Sequence, residues 1–194
     1  MTKDYIKLAQ FLYEIGTLRK IARSHRQTLL TDDLSDNIAA HSFRVAMIGW
    51  FLAKIKKADP YKVVMMCLLH DTSETRTGDQ NWVHKKFVKA FENEAIASQF
   101  SQLIGEEELL KHADEYSKRL TIEAKLAKDA DLLDQVLLLK EYAWSGNQEA
   151  QLWLKDNQQI KYMSSEQAKL MARQIISQRP GDWWKGIWSV DRRK

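Results

Sequence analysis

The amino-acid sequence predicts an all-α protein folded as a single compact bundle. Three observations carry this. Only seven Gly and two Pro occur in 194 residues, so helix breakers are scarce. Apolar residues recur at i, i+3, i+4 and i+7 along most of the chain. No stretch shows the strong period-two alternation of a half-buried strand. The length suits one well-buried core, and 44% hydrophobic with 29% charged residues is ordinary for a globular protein.

Residues 4 to 22 form the first expected helix, with Leu8, Phe11, Leu12, Ile15, Leu18 and Ala22 on one face. The polar stretch Arg23 to Asp36 has no helical stripe and reads as a loop long enough to suggest a function. The second helix opens at Asn37, a good N-cap, and runs to about Lys56. Apolar on nearly every side, it belongs in the middle of the bundle. Asp59-Pro60 opens the third helix as cap and first-turn proline, and the apolar run that follows ends at His70. Thr72 to Trp82 breaks the pattern at Gly78-Asp79, and Val83 to Phe100 is expected to be one further helix. Glu106 to Leu120 and Thr121 to Ser145 follow, the latter stopped by Gly146. Glu149 to Lys155 and Ser165 to Gln178 complete the set. Trp183, Trp184 and Trp188 lie in an irregular tail expected to pack on this chain or a partner rather than on a ligand. There is no internal repeat and no linker, so residues 1–194 are expected to form one domain, its core at about 8–145 and its closing helices and tail at 149–194.

The single Cys67 excludes an intrachain disulfide and reads as a small buried hydrophobe. With no signal-peptide core and no span of about 20 apolar residues, the expected location is cytoplasmic and no membrane partner is expected. The net charge of +4 is mildly basic. That is a broad signal for nucleic acid, and a non-enzymatic nucleic-acid-binding module would leave the polar residues on apolar faces without a purpose.

Those residues are His41, His70, Asp71 and Asp131. Each interrupts an otherwise apolar helical face or its end. Burying such groups is costly without a partner, and groups on three helices that each intrude in this way gather when they share one. Imidazole and carboxylate are ligand types for a divalent cation. Glu74 stands three residues beyond Asp71.

The ordered set resembles the HD-domain superfamily of metal-dependent phosphohydrolases. Leu69-His70-Asp71-Thr72-Ser73-Glu74 with Thr77-Gly78-Asp79, and Glu123-Ala124-Lys125 through Lys128-Asp129-Ala130-Asp131, resemble its 5′-deoxynucleotidase branch. The similarity spans roughly residues 8 to 145. It implies an HD-type bundle that hydrolyses nucleoside 5′-monophosphates, deoxyribonucleotides foremost, to nucleoside and phosphate. It implies His41, His70, Asp71 and Asp131 as ligands of one divalent transition metal (Mn, Co, Fe, Ni or Zn, with Mg a further option). Asp131 is preferred to Asp129 by its spacing from Glu123. Glu74 resembles the residue that activates the attacking water, beside Asp71 in the catalytic set. Arg23 and Asp79 resemble residues that meet the nucleotide. Members of this branch are commonly homodimers. Two departures stand out: Ala40 where an acid usually precedes the His, and Ser24-His25-Arg26 after Arg23, without the Trp that one branch carries near this point in its sugar-recognition surface. A different phosphoester, such as a nucleoside triphosphate or a signalling nucleotide, is the alternative substrate. His25 and Arg26 are either phosphate contacts or solvated loop residues, and Arg76 pairs with a phosphate or a nearby acid. His84 and His112, on polar helices, are expected to be exposed.

Overall fold

A computed structural model describes residues 2–156 and 158–187. Among these the chain is helical throughout, with no strand and one isolated antiparallel bridge between Ala22 and Asn37. The helices are α1 (Thr2–Ile15), α2 (His25–Thr28), α3 (Ile38–Lys56), α4 (Pro60–Leu69), α5 (Glu74–Thr77), α6 (Trp82–Phe87) and α7 (Glu92–Phe100). After these come α8 (Glu106–Lys118), α9 (Ile122–Trp144), α10 (Gln148–Asp156), α11 (Gln158–Tyr162), α12 (Glu166–Ser177) and α13 (Asp182–Lys185).

The caps follow from the sequence. Asn37 accepts from the Ala40 amide, Asp59 from Tyr61 and Lys62, Thr121 from Ala124, and Ser165 from Ala168. Gly146 supplies the positive φ that ends the turn after α9.

The core is made where α3, α4 and α9 pack together, through Val45, Leu52, Val63, Met66, Ala127, Ala130 and Leu133. Gly49 lets α3 and α4 approach. A Cβ there would lie 2.7 Å from Cys67 Sγ and 3.0 Å from Val63 Cγ1. Cys67 is buried, as its apolar surroundings require. A second cluster, Leu69, Phe100 and Leu103 with Phe11, joins α1, α4 and α7, the Phe11 and Phe100 rings meeting edge to face at 5.9 Å.

Several elements differ from expectation. The first helix ends at Ile15, and Gly16–Lys20 tightens into a 3-10 turn that still buries Leu18. Gly16 is a weak helix former at that point. The stretch 83–100 is two helices separated by an extended Val88, because Phe87, Val88 and Phe91 find no core to cover them and stay exposed. The loop from Arg23 to Asp36 contains α2 and is anchored rather than free. Leu29 is buried against Leu139 and Ala150, and the Arg23 amide donates to Asp36 O at 2.8 Å. The α3 helix is not apolar-buried all round: Phe43, Met47, Trp50 and Phe51 are exposed. By length and composition alone α3 also meets the requirement for crossing a membrane, contrary to expectation. In the bundle its inner face carries buried His41 and Ser42 against α9. His112 is buried, facing Tyr61, because it shares the inward stripe of Leu109 and Tyr116. Arg76 pairs with Glu14, and Arg26 faces Asp32. In the tail, Trp183 is 76% and Trp184 49% exposed, so neither packs closely on this chain. Trp188 lies outside the described residues.

Candidate metal and phosphate site

The α3, α4 and α9 packing delivers four polar side chains to one point. His41 comes from the first turn of α3, His70 and Asp71 from the end of α4, and Asp131 from the middle of α9. His41 Nε2 lies 3.3 Å from His70 Nε2, 3.4 Å from Asp71 Oδ2 and 3.4 Å from Asp131 Oδ1. His70 Nε2 lies 3.1 Å from Asp71 Oδ2 and 4.0 Å from Asp131 Oδ1.

The far side of each ring decides what this cluster can hold. His41 Nδ1 donates to Asp134 Oδ2 at 2.6 Å, and His70 Nδ1 donates to the Cys67 carbonyl at 2.7 Å. These acceptors fix the proton on Nδ1 and leave an Nε2 lone pair on each ring aimed inward. Two lone pairs and two carboxylate oxygens converging at these distances suit a divalent cation with mixed N/O ligands. The electrostatics agree. Burial and Arg23 pull the His41 pKa down, yet Asp131, Asp134 and Asp71 outweigh them and hold it well above the usual imidazole value. On protein groups alone, then, the cluster calls for positive charge. Burial works against ionised Asp71 and Asp131, but His70 and His41 on the first, and Lys128 with both histidines on the second, keep both carboxyls well below their usual range. Lys128 Nζ contacts Asp131 Oδ2 at 2.6 Å.

Asp134 is held in turn by Arg44, which also reaches Glu141 at 2.8 Å. Neither Arg44 nor Asp134 is among the residues that the sequence singles out. Asp134 stands three residues beyond Asp131, one turn along the same helix face, which is the signal that could have found it. Asp129 serves elsewhere. Fully buried, it accepts from the Ser164 and Ser165 amides at 2.7 and 2.8 Å.

Beside the cluster opens a cavity of about 450 Å³, within the range of small-ligand sites. Arg23, His25, Asp71, Glu74, Asp79 and Asp131 line it. Arg23 is buried. Burial opposes its charge, but Asp71, Asp79 and Asp131 hold the pKa above its ordinary value, so it is always a cation. Its Nε lies 3.8 Å from Asp79 Oδ2, too far for a hydrogen bond. Asp79 itself accepts from the Ser24 amide. Glu74 heads α5, and burial, aided by Asp71 and Asp79, pushes its carboxyl pKa up to about 10. Burial, with Arg23, lowers the His25 imidazole to about 4, so it is neutral. Arg23 Nε, Ser24 Oγ, His25 Nδ1 and Glu74 Oε2 are all buried without a hydrogen-bond partner among the described residues. Three of these atoms, on Arg23, His25 and Glu74, belong to residues that line the cavity and mark a place suited to a polar ligand. Lys85, Arg119, Lys125 and Lys128 add positive charge to the wall, and Trp82 and Tyr162 add aromatic surface.

The architecture has solved counterparts. A structure from Magnetospirillum magnetotacticum, titled a predicted metal-dependent phosphohydrolase, superposes with a TM-score of 0.69 at 27% identity, covering 89% of this chain and 93% of that one. A Pyrococcus horikoshii protein shares the fold with a TM-score of 0.72 at 24% identity, over 87% and 98% of the two chains. Together the helical frame and the donor set make this a metal-dependent phosphohydrolase. The chain belongs to the HD domain family, whose pattern matches residues 15–173. A protein named 5′-deoxynucleotidase from Dictyostelium discoideum is 30% identical over 152 residues, 72% of this chain and 77% of the relative. Another of that name from Shigella boydii is 26% identical over 163 residues, 74% and 78% of the two.

Proposed function

We propose that this chain hydrolyses nucleoside 5′-monophosphates, 2′-deoxynucleotides among them, to nucleoside and phosphate. The observation that carries the reading is the convergence on one mononucleotide-sized cavity of a His41, His70 and Asp71 cluster with Asp131 beside it, a buried arginine and an unpartnered glutamate. The relatives named 5′-deoxynucleotidase support it.

His41, His70, Asp71 and Asp131 would hold the metal. When bound, a divalent cation neutralises phosphoryl charge and lowers the pKa of water and of nearby carboxyls. Arg23 takes phosphate oxygens, and its unused Nε is free for one of them. Glu74 orients the attacking water and accepts its proton as general base. The buried, fixed positions of Arg23 and the ligand set supply the alignment that phosphoryl transfer needs. Asp79 holds the Ser24 amide and faces Arg23, which sets the arginine's direction toward the phosphate.

A second reading, hydrolysis of a nucleotide carrying a further phosphate, is favoured by Lys85, Arg119, Lys125 and Lys128 on the same wall. One experiment separates the two. Protein loaded in turn with Mn, Co, Ni, Mg or Zn is offered nucleoside mono-, bis- and triphosphates, and released phosphate is measured. Monophosphates are expected to give the highest kcat/KM, and no release from any of them overturns the reading. Glu74→Gln is expected to lower kcat at least about a hundredfold while metal content, measured by elemental analysis, stays at the parent level.

A further inference from the structure

Trp82 and Tyr162 are the aromatic members of the largely polar wall of the cavity beside the His41–Asp71 cluster, and they stand together. Their ring centroids are 6.1 Å apart with the planes tilted by only 31°. Both rings are more than half exposed, at 57% and 59%. Two large aromatic rings in mutual contact give the polar pocket a paired apolar surface open to water. A nucleotide held by its phosphate must place its base somewhere, and a base is a flat, weakly hydrated π surface.

Both rings have firm roots. Trp82 is the first residue of α6, directly after Asn81, which is buried. The Asn81 amide donates to Ser24 O at 3.1 Å and to Gln27 Oε1 at 3.0 Å, and its Oδ1 caps α6. Trp82 is thus tied to the segment that carries Arg23. Tyr162 ends α11, and Met163 behind it is buried, followed by the two amides that Asp129 holds. The pair also forms a wall of a second concavity of about 490 Å³, whose charged members are Glu149 and Asp156. Those two acids repel a phosphate, so a nucleotide meeting the aromatic pair is oriented with its phosphate toward Arg23 and the metal ligands. A centroid separation of 6.1 Å is that of rings already in mutual contact. A base therefore stacks on the surface the pair gives to the catalytic cavity and does not insert between the rings.

We propose that Trp82 and Tyr162 form a stacking platform for the nucleobase, so that the enzyme recognises a phosphate and an aromatic base while reading little of the base's edge. This rests on the nucleotidase reading, and predicts tolerance among the bases together with rejection of sugar phosphates that lack one, since stacking is indifferent to which base presents its face.

The test compares deoxyadenosine 5′-monophosphate with deoxyribose 5-phosphate. The parent protein is expected to prefer the nucleotide in kcat/KM. Trp82→Ala is expected to shrink that preference about tenfold, mainly through KM for the nucleotide. Trp82→Phe, which keeps a ring, is expected to recover most of it, and Tyr162→Ala to give a smaller loss. An unchanged preference in Trp82→Ala, or equal losses on both substrates, overturns the platform while leaving the phosphohydrolase reading intact. If the parent hydrolyses neither compound, the nucleotidase reading falls on its own. Calorimetric binding of the nucleotide to parent and Trp82→Ala then decides the platform: weaker binding by the variant upholds it, and equal binding overturns it.

Discussion

Asp134 stands behind His41, away from the point where the His41, His70, Asp71 and Asp131 side chains converge, yet it determines how His41 presents itself there. A carboxylate can only accept, so it keeps the proton on Nδ1. An asparagine at 134 can also donate and would permit the opposite tautomer. Asp134→Asn is expected to weaken affinity for Mn or Co about ten- to a hundredfold, read by calorimetric titration of the metal-free protein. Glu14 is a different kind of residue, outside the donor cluster and holding the side chains that follow Glu74 on α5. It takes two hydrogen bonds from Arg76, at 2.6 and 2.9 Å, and others from Thr75 and Gln99. Arg76, first among these, holds its pKa below the ordinary value despite partial burial. A carboxyl whose folded pKa lies below its unfolded one adds stability above the unfolded value and loses it as pH falls through the folded one. Glu14→Gln is therefore expected to cost about 0.5–1 kcal/mol at pH 7, a difference that shrinks as urea unfolding is repeated at pH values falling below the ordinary carboxyl range. Residues of these two kinds were unequally legible in the sequence. His41, His70, Asp71 and Asp131 stood out because each broke an apolar face. Glu14 did not, because an acid on a largely exposed helix looks like a solvated one until its partner is known, and Asp134, placed a turn beyond Asp131 on the same face, could not be paired with His41 before the packing of α3 on α9 was known.

At the scale of elements, Gly49 carries more weight than its size suggests. The α3–α4 approach that brings His41 to His70 runs over it. Gly49→Ala would gain helix propensity but press a methyl against Cys67 Sγ and Val63. The crowding is expected to prevail, destabilising the fold by about 1–3 kcal/mol, measured by the shift of the urea midpoint at unchanged m-value. Helix caps and the long central elements could be read from the sequence, since Asn37, Asp59, Thr121 and Ser165 are local signals. The division of 83–100 could not, because its apolar spacing is helical and only the absence of a surface to cover Phe87 and Phe91 interrupts it. The same holds for the stretch after Arg23. Polar and patternless in sequence, it is held by Leu29, a single apolar residue whose pocket is built from α9 and α10.

For the whole molecule, the sequence pointed to a site assembled from the first two-thirds of the chain. The bundle brings the last third to the same cavity. Tyr162 and Ser164 line it beside Asp131, and α10, α11 and α12 all pack on α9. Nothing in the local pattern of 158–164 announces this, since contact between distant segments is a property of the packed fold and not of either stretch.

Asp129 and Asp131 occupy opposite sides of α9, two positions being about 200° around a helix. One acid faces the metal corner. The other clasps the amides that open α12. The helix is thus a beam loaded from both sides, and the working unit cannot be trimmed to the stretch of about 8–145 in which the motifs are read. A fragment stopping at 145 would leave a wholly buried carboxylate with no donor, strip the cover from one flank of the beam that carries Asp131, and take away the far wall of the pocket. The family pattern, which runs to residue 173, takes in both of these supports.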